Sequence, residues 1–422
     1  MSARTLIGLA GSVAIAFAVG TVLPQTAHAE SSPAGLAMGF SHTCAARADG
    51  NLWCWGGNES GQLGVGTVQP SLSPKFVNGF ALGSAQVAAG DLFTCAVKTD
   101  HSLWCWGNNV SGQLGDGSIN DSLVPNFVAP LGTGVAEVST GELFACARKT
   151  DGTLWCWGGG FVGDGAGHQT SNPTQVTSLG TSVAQVSTGD ALICARKTDG
   201  TLWCWGDNEW GAVGDGTTVD RLAPVQVTTL GSTVAEVSAG DLFACARKTD
   251  GTVWCWGTND SGQLGDGTTA DHFTPAQVTS LGATVAEISA NGRHACARKF
   301  DGSLWCWGSN AGGELGDNTV VDRPTPVRVT AMGNVAAEVS TGMNHGTCAR
   351  KTDGTIWCWG INAVGEVGDG TSSPRKVPVQ VIFPPPPSPV PATNAFGAAA
   401  LALLLFGAAG LALGRRRTRS HA

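Results

Sequence analysis

The tripeptide Trp-Cys-Trp occurs seven times in this 422-residue chain, and its spacing constrains the fold more than any other sequence feature. Successive copies begin 51, 51, 48, 51, 51 and 52 residues apart. The tryptophan pairs lie at residues 53/55, 104/106, 155/157, 203/205, 254/256, 305/307 and 357/359. Such a regular period is typical of proteins that are built from one repeated supersecondary unit.

Each repeat contains four short segments with the composition of β-strands. In the fifth repeat they are Val234–Gly240, Phe243–Thr249, Thr252–Gly257 and Pro275–Leu281. All four are rich in β-branched, aromatic or small apolar residues and are bounded by turn-forming residues. Seven such units could form a propeller, a β-solenoid or separate small domains, but only radial closure buries both faces of every sheet. We therefore predict an all-β fold, a seven-bladed β-propeller of four-stranded blades, over residues 30–383.

Every repeat also carries two cysteines that lie ten residues apart, on either side of a predicted turn. The turn reads Asp-Gly in six repeats, which fits a three-residue hairpin loop ending with glycine at positive φ; His101 takes that position in the second repeat. This hairpin places the cysteines opposite each other on a non-hydrogen-bonded pair, where a disulfide fits. Free core thiols and a metal site are the alternatives, although the spacing matches no zinc pattern. The predicted disulfides, one per blade, are Cys44–Cys54, Cys95–Cys105, Cys146–Cys156, Cys194–Cys204, Cys245–Cys255, Cys296–Cys306 and Cys348–Cys358.

The first 29 residues have the three parts of a secretory signal peptide. Arg4 precedes an apolar run from Leu6 to Leu23, and small residues at Ala27 and Ala29 offer a cleavage site. An uncleaved transmembrane start is the alternative. Export would place the chain in an oxidising compartment, which agrees with disulfides rather than catalytic thiols.

The other end of the chain predicts an anchor. Residues 384–394 form a proline-rich spacer, 395–414 are twenty residues without a charge, and 415–422 form a basic tail. The uncharged stretch is long enough for a transmembrane helix. It also resembles a sorting-signal helix, because Val390–Asn394 is similar to an LPxTG motif with its first and last letters changed. We expect an exported protein in the cell envelope or at the cell surface, held by this helix or released after processing near Thr393.

The charge of the predicted propeller argues against nucleic-acid binding. The chain has 24 basic and 32 acidic residues, and five of the basic ones lie in the signal peptide and tail, which leaves 19 against 32 for residues 30–383. Such an acidic body is a poor partner for phosphate backbones.

The tryptophans are predicted to be core residues. Side chains alternate along a strand, so both tryptophans of each Leu-Trp-Cys-Trp segment leave one face while Leu and Cys leave the other. Only Trp210 lies outside this motif and could be an exposed binding aromatic.

Segments Trp53–Thr67, Trp104–Ser118 and Trp254–Thr268 share the pattern W-C-W-G-x-N-x-x-G-Q-L-G. This pattern resembles the repeat of the regulator of chromosome condensation family, and the resemblance extends over about residues 36–383. It implies a seven-bladed propeller. The founding member is an exchange factor for a small GTPase that contacts chromatin, whereas exported bacterial members resemble protein-binding modules, one of them an inhibitor of β-lactamases. The third repeat departs from the pattern because it lacks N-x-x-G-Q-L.

We find no convergent set of catalytic or metal-binding residues in the sequence, so we predict no enzyme activity, no cofactor and no metal site. The Asp of each Gly-Asp-Gly turn lacks the alternating carboxylate spacing of calcium loops and is expected to form an Asx turn. The Arg-Lys pairs are expected to form a solvated basic rim near the hairpin turns.

One asymmetry between the repeats indicates a binding face. The loop after the first strand is acidic and apolar in repeats two to five, but carries His or Arg in repeats six, seven and one, which adjoin in a closed ring. We predict that this divided face docks a protein partner, with charge complementarity fixing the orientation. Its residues are Asp91, Phe93, Glu142, Phe144, Asp190, Asp241, Phe243, Arg293, His294, His345 and His42.

The sequence thus favours a monomeric, non-enzymatic, envelope-anchored propeller that presents a protein-binding or adhesive surface. An inhibitor of a secreted or periplasmic enzyme is the main alternative, and a propeller hydrolase or lyase is the third.

Overall fold

A computed structural model describes residues 35–80, 83–344 and 346–385, and they form seven four-stranded antiparallel sheets. The strands of each sheet follow chain order, so every blade coincides with one repeat. The first strands are β1 (Leu36–Met38), β5 (Ser84–Ala89), β9 (Val135–Thr140), β13 (Val183–Thr188), β17 (Val234–Ala239), β21 (Val285–Asn291) and β25 (Ala336–Thr341). The second strands are β2 (His42–Ala46), β6 (Phe93–Lys98), β10 (Phe144–Lys149), β14 (Leu192–Lys197), β18 (Phe243–Lys248), β22 (His294–Lys299) and β26 (Gly346–Lys351). The third strands are β3 (Leu52–Gly56), β7 (Leu103–Gly107), β11 (Leu154–Gly158), β15 (Leu202–Gly206), β19 (Val253–Gly257), β23 (Leu304–Gly308) and β27 (Ile356–Gly360). The fourth strands are β4 (Ser71–Phe76), β8 (Ser122–Phe127), β12 (Thr170–Gln175), β16 (Arg221–Gln226), β20 (His272–Gln277), β24 (Arg323–Arg328) and β28 (Arg375–Gln380).

The sheets are arranged as a closed ring. The first strand of each blade packs against the first strands of both neighbouring blades, and β1 packs against both β5 and β25. The first strands therefore lie innermost, around the axis, and the fourth strands lie outermost. The seven-bladed propeller predicted from the repeat is confirmed, and β1 belongs to the first blade rather than the last.

The hairpin between the second and third strands has the predicted geometry in every blade. Each pair of cysteines is directly opposite in register, with Cα atoms 4.0 to 4.1 Å apart, and all seven predicted disulfides are present. His101 has a φ of 65°, as the loop requires.

The predicted two-sided packing of the third strand is confirmed, but the first tryptophan of the motif is only half-buried in blades two to seven. Leu52 and Cys54 pack toward the second blade, while Trp53 and Trp55 pack toward the seventh. The second tryptophan of each motif is fully buried, and its indole N–H donates to a main-chain carbonyl of the preceding blade, as Trp256 does to Ala212 at 2.8 Å. The tryptophans therefore hold neighbouring blades together.

The expectation of a solvated basic rim is wrong for the Arg-Lys pairs. Arg247 turns inward and pairs with Glu236 on the first strand at 2.9 Å, and the same pair recurs in three other blades. Lys248 lies over the ring of Trp254, 4.6 Å from its centroid. Both side chains thus cover the blade instead of facing solvent.

The blades are joined by short connections that bury one large apolar residue each. Five of these connections contain a 3-10 helix, and the first connection uses Phe80 in the same role. The buried residues of the helices are Leu131, Leu179, Leu230, Leu281 and Met332. The helices span Ala129–Leu131, Thr177–Leu179, Thr228–Leu230, Thr279–Leu281 and Thr330–Met332.

Several predictions fall outside the described residues: the signal peptide, the spacer beyond Pro385, the apolar stretch 395–414, the basic tail and His345. Within the described residues, no helix has the length and apolar character needed to cross a membrane.

Candidate functional site: an acidic mouth on the propeller axis

The loops that join the first and second strands meet on the propeller axis. Together they enclose a cavity of about 130 Å³, to which all seven blades contribute. Its lining residues are Phe40, Asp91, Glu142, Asp190, Asp241, Asn291, Gly292 and Met343. We call this cavity and its four carboxylates the acidic mouth.

A ring of glycines brings these loops close together. A Cβ atom on Gly189 would lie 1.7 Å from the carbonyl oxygen of Gly240, and one on Gly141 would lie 2.6 Å from that of Gly189. Because the acidic residue directly follows the glycine in blades two to five, this close approach of main chains gathers the four carboxylates at one point.

The crowding changes the acidity of the mouth. Burial, and then the charges of Glu142 and Glu59, raise the pKa of Asp91 to about 6. Burial, followed by the hydrogen bond that protonated Asp190 donates to Asp241 and the charges of Asp241 and Glu142, raises the pKa of Asp190 to about 8. Like charges this close cannot all ionise at little cost, so Asp190 keeps its proton at neutral pH.

The structure brings together part of the predicted partner face. The carboxylates of Asp91, Glu142, Asp190 and Asp241 reach the mouth. The three phenylalanines do not reach the surface, since they are at most 3% exposed. They pack beneath the loops, as Phe93 does against Gly90 and Phe243 against Gly240. Their inclusion in the predicted contact surface is therefore corrected: these residues are Phe93, Phe144 and Phe243.

The histidine and arginine arc is likewise mostly internal. His42 and His294 are fully buried, and their Nε2 atoms lie 2.8 Å from the hydroxyls of Thr94 and Thr347 in the next blade. Burial lowers the pKa of His42 to about 3, so it carries no charge at neutral pH. Arg293 forms an ion pair with Asp260 on a neighbouring loop. Of this arc, only Arg293 offers charge near the surface within the described part of the chain.

Sequence reasoning missed the apolar residues around the mouth. Phe40 and Met343 occupy the same repeat position as the acidic residues, and Phe40 is 46% exposed. The loops between third and fourth strands lie at the same end of the blades and expose Val110 together with Trp210, the tryptophan that the sequence did indicate as an exposed aromatic. Phe40 and Met343 directly follow the glycine that ends the first strand, as Asp91 does. A comparison of this position in all the repeats, and not only in those with a charged residue there, would have found them.

The repeat motif itself serves structure. In the fifth blade Asn259 is fully buried; its amide group donates to the carbonyls of Thr268 and Ala270, and its side-chain oxygen accepts the N–H of Leu264. Asp215 accepts the N–H of Thr217 as the predicted Asx turn. The hydrogen bonds of these residues therefore stabilise the loop between the third and fourth strands. Among the residues that the structure describes, no three His, Cys, Asp or Glu are arranged to hold a metal ion.

Comparison with known proteins agrees with this architecture. The model of the RCC1-like domain family matches residues 15–348. The chain is 31% identical over 348 residues to the ultraviolet-B receptor UVR8 of Arabidopsis thaliana, covering 81% of this chain and 68% of the receptor. It is 30% identical over 346 residues to the human E3 ubiquitin-protein ligase HERC2, which covers 80% of this chain but only 6% of the ligase.

Solved structures show the same fold. Prp20p from Saccharomyces cerevisiae superposes with a TM-score of 0.71 at 21% identity, over 79% of this chain and 86% of that one. Human WBSCR16 gives a TM-score of 0.66 at 24% identity, over 73% and 84% of the two chains. With seven blades in register with seven repeats and a family model that matches most of its length, this chain belongs to the RCC1-like domain family.

Proposed function

We propose that this protein is a non-enzymatic, protein-binding propeller and that its acidic mouth docks a basic segment of the partner. The observation that carries the proposal is the convergence of four carboxylates from blades two to five at one cavity to which every blade contributes. A Lys or Arg side chain that displaces the Asp190 proton would form charge-assisted hydrogen bonds there. The mouth thus fixes where and in what orientation the partner binds.

The surroundings of the mouth suit a protein more than a small ion. Phe40, Val110 and Trp210 expose apolar surface at the same end of the propeller. Interfaces commonly combine aromatic anchors with complementary charge. Among proteins of the same fold, Prp20p has been characterised for its binding to Gsp1p and histones, and yeast RCC1 (Prp20) has been crystallised with Kap60 bound.

We further propose that the protein acts outside the cytoplasm, anchored in the cell envelope. The support is the signal-peptide pattern of residues 1–29, the uncharged stretch 395–414 with its basic tail, and seven disulfides. Intact mass of the native protein from envelope fractions tests this. A chain that begins at Glu30, with fourteen cysteines that react with a thiol reagent only after reduction, is expected, whereas an intact residue 1–29 segment would contradict export with cleavage.

The docking proposal is tested by affinity capture from envelope extracts. The triple variant Asp91→Lys, Glu142→Lys, Asp241→Lys should lose the partner that wild type captures, because the mouth becomes repulsive to a basic segment. The control is Asp250→Lys, an exposed acid on a hairpin turn at the other end of the blade.

Equal capture by all three proteins would overturn the proposed docking surface. If the captured partner is an enzyme that loses activity at one-to-one stoichiometry, the protein is its inhibitor and the mouth is the inhibitory surface. Substrate turnover by the propeller alone would contradict the non-enzymatic assignment.

A further inference from the structure

The loop between the third and fourth strands of blade four carries Trp210, an aromatic side chain that is 44% exposed. Trp210 and Glu209 are the two central residues of a tight turn, because the N–H of Gly211 donates to the carbonyl of Asn208 at 2.9 Å. The side chain of Asn208 is fully buried, and its oxygen accepts the N–H of Val213 at 2.9 Å. The turn is therefore fixed by a buried side chain and presents Glu209 and Trp210 to solvent.

The same turn recurs in blades one, two, five and six, each time closed by a glycine N–H and an asparagine carbonyl. The central residues there are Glu59-Ser60, Val110-Ser111, Asp260-Ser261 and Ala311-Gly312. Three of these four turns have serine at the position of Trp210. Blade four thus differs from its equivalents by an exposed aromatic residue that the turn itself does not need.

A second exposed ring lies beside this turn. Phe273, in β20 of blade five, is 42% exposed, and a Cβ on Gly211 would lie 2.4 Å from the Cδ1 atom of its ring. Because Trp210 directly precedes Gly211, both aromatic side chains lie at the junction of blades four and five. We call Trp210 and Phe273 the aromatic pair. Exposed aromatic residues that are grouped in this way are typical of the anchors of protein interfaces.

Carboxylates connect the aromatic pair to the acidic mouth. The N–H of Asp207 donates to the carbonyl of Ala191 at 3.0 Å, and Ala191 directly follows Asp190, which lines the mouth. The carboxylate of Asp207 also accepts the N–H of Glu209 at 3.0 Å. Asp190, Asp207 and Glu209 therefore follow one another along blade four, from the mouth to Trp210. The aromatic pair has the same negative surroundings as the mouth.

We propose that the aromatic pair binds an arginine side chain of the basic segment whose other cationic residue enters the acidic mouth. This inference rests on the docking function proposed above and adds a second contact to it. A planar guanidinium group stacks on the indole of Trp210 and donates hydrogen bonds to the carboxylate of the adjacent Glu209. An apolar side chain would leave that carboxylate without a partner. The two contacts together favour a segment with two cationic residues over a segment with one.

Nuclear magnetic resonance of the isotope-labelled full chain tests this inference with defined peptides. The probes are glycine-serine peptides that carry one lysine and one arginine, separated by spacers of increasing length. In the matched peptides, glycine or norleucine replaces the arginine. One of the lysine-arginine peptides should shift both the amide signals of the mouth, such as that of Asp190, and the indole N–H signal of Trp210. The lysine-glycine peptide should shift the mouth signals alone.

Two substitutions measure the contribution of the turn. Trp210→Ser introduces the residue that three equivalent turns carry, so the fold should be kept. It should weaken binding of the lysine-arginine peptide about fivefold, as expected for the loss of a cation–π contact, and leave the lysine-glycine peptide unchanged. Glu209→Gln should weaken the first peptide about twofold. The control Ile119→Ser removes a 62% exposed side chain from the corresponding loop of blade two and should affect neither peptide.

The outcomes separate this inference from the docking proposal on which it rests. If the mouth signals shift but Trp210→Ser binds the lysine-arginine peptide as wild type does, the inference is wrong and the docking proposal stands. Equal affinity for the norleucine peptide would show that the aromatic pair takes an apolar residue, which also overturns the inference. If no peptide shifts the mouth signals, the docking proposal fails and the inference fails with it.

Discussion

The absence of a side chain at Gly189 allows the main chains of blades four and five to come close together near the propeller axis. Gly189 needs no unusual φ, since only its contact with Gly240 is tight. Glycine is therefore required there for space and not for conformational freedom, and the position of the adjacent Asp190 depends on it.

Replacing Gly189 with alanine should destabilise the fold by about 1–3 kcal/mol, because overpacking forces the two main chains apart. The control is Gly159→Ala, where the new Cβ would lie 3.5 Å from its nearest neighbours and the φ is ordinary. Urea denaturation of both variants measures the difference. Equal stability of the two would show that the loops relax freely and do not hold the mouth together.

The sequence pattern identified the acidic residues of the mouth, but it did not show that the phenylalanines next to them are buried. The acidic residues were found because they break the repeat symmetry in four consecutive blades. Phe93 was grouped with Asp91, but it lies two residues further along and begins the second strand, where it is fully buried. Whether a residue near a loop is on its surface depends on where the strand begins, and a sequence pattern places that boundary only to within a few residues.

At the scale of elements, a belt of side chains links the innermost strands. Glu or Gln on one first strand accepts an N–H from the first strand of the next blade. Gln185 bonds Val237 in this way, and Glu287 bonds Val339 at 3.3 Å. Burial, and then the charge of Glu236, raise the pKa of Glu287 to about 7 despite Arg298. The belt therefore connects neighbouring blades through buried side chains, one of which, Glu287, is a carboxyl group with a raised pKa.

Glu287→Gln should make stability less dependent on pH. The folded protein keeps the Glu287 proton up to about pH 7, whereas the ordinary glutamate value is 4.5, so wild-type stability falls as pH rises between these values. Glutamine retains the acceptor and cannot ionise. Gln185 opposite Arg196 already shows that the pairing is tolerated. Relative to wild type, the variant should gain stability between about pH 5 and pH 8.

The midpoints of urea denaturation of wild type and Glu287→Gln, measured at about pH 5 and about pH 8, test this change. The reverse variant, Gln185→Glu, should introduce a fall in stability over the same interval. Parallel pH curves for all three proteins would contradict a buried, protonated Glu287.

The belt also shows where prediction from sequence ends. Strand count, hairpin register and disulfides follow from local spacing, because the interacting residues lie ten apart on one hairpin. The partner of Arg247 is eleven residues upstream on another strand, and a bulge shifts that register after Val234. An alternating pattern gives no sign of such a shift, so the inward turn of the Arg-Lys pairs could not be read from it.

At the scale of the whole molecule, the seventh junction differs from the others because no connection between consecutive blades crosses it. The other junctions have a covalent connection whose apolar residue packs on the tryptophans of the next blade, as Phe80 does on Trp104 and Trp106. At the closing junction the ring of Phe383 packs on Trp53 and Trp55, 5.9 and 5.8 Å between centroids. Phe383 thus packs on the tryptophans of blade one as Phe80 packs on those of blade two, although no connecting chain joins blade seven directly to blade one.

The matched variants Phe383→Ala and Phe80→Ala test how much the connection matters. Both remove an aromatic ring from a tryptophan pair, and the half-buried Phe383 should cost about 2 kcal/mol, less than the fully buried Phe80. Their local effects should differ. Without its ring, β28 can separate from the seam by itself, so its amides should exchange faster than the global stability explains. In Phe80→Ala the connection still ties β4 to blade two, so β4 should exchange only by global unfolding. Hydrogen exchange of Arg375–Gln380 and Ser71–Phe76 gives the comparison, and equal protection of both strands would mean that packing alone closes the ring.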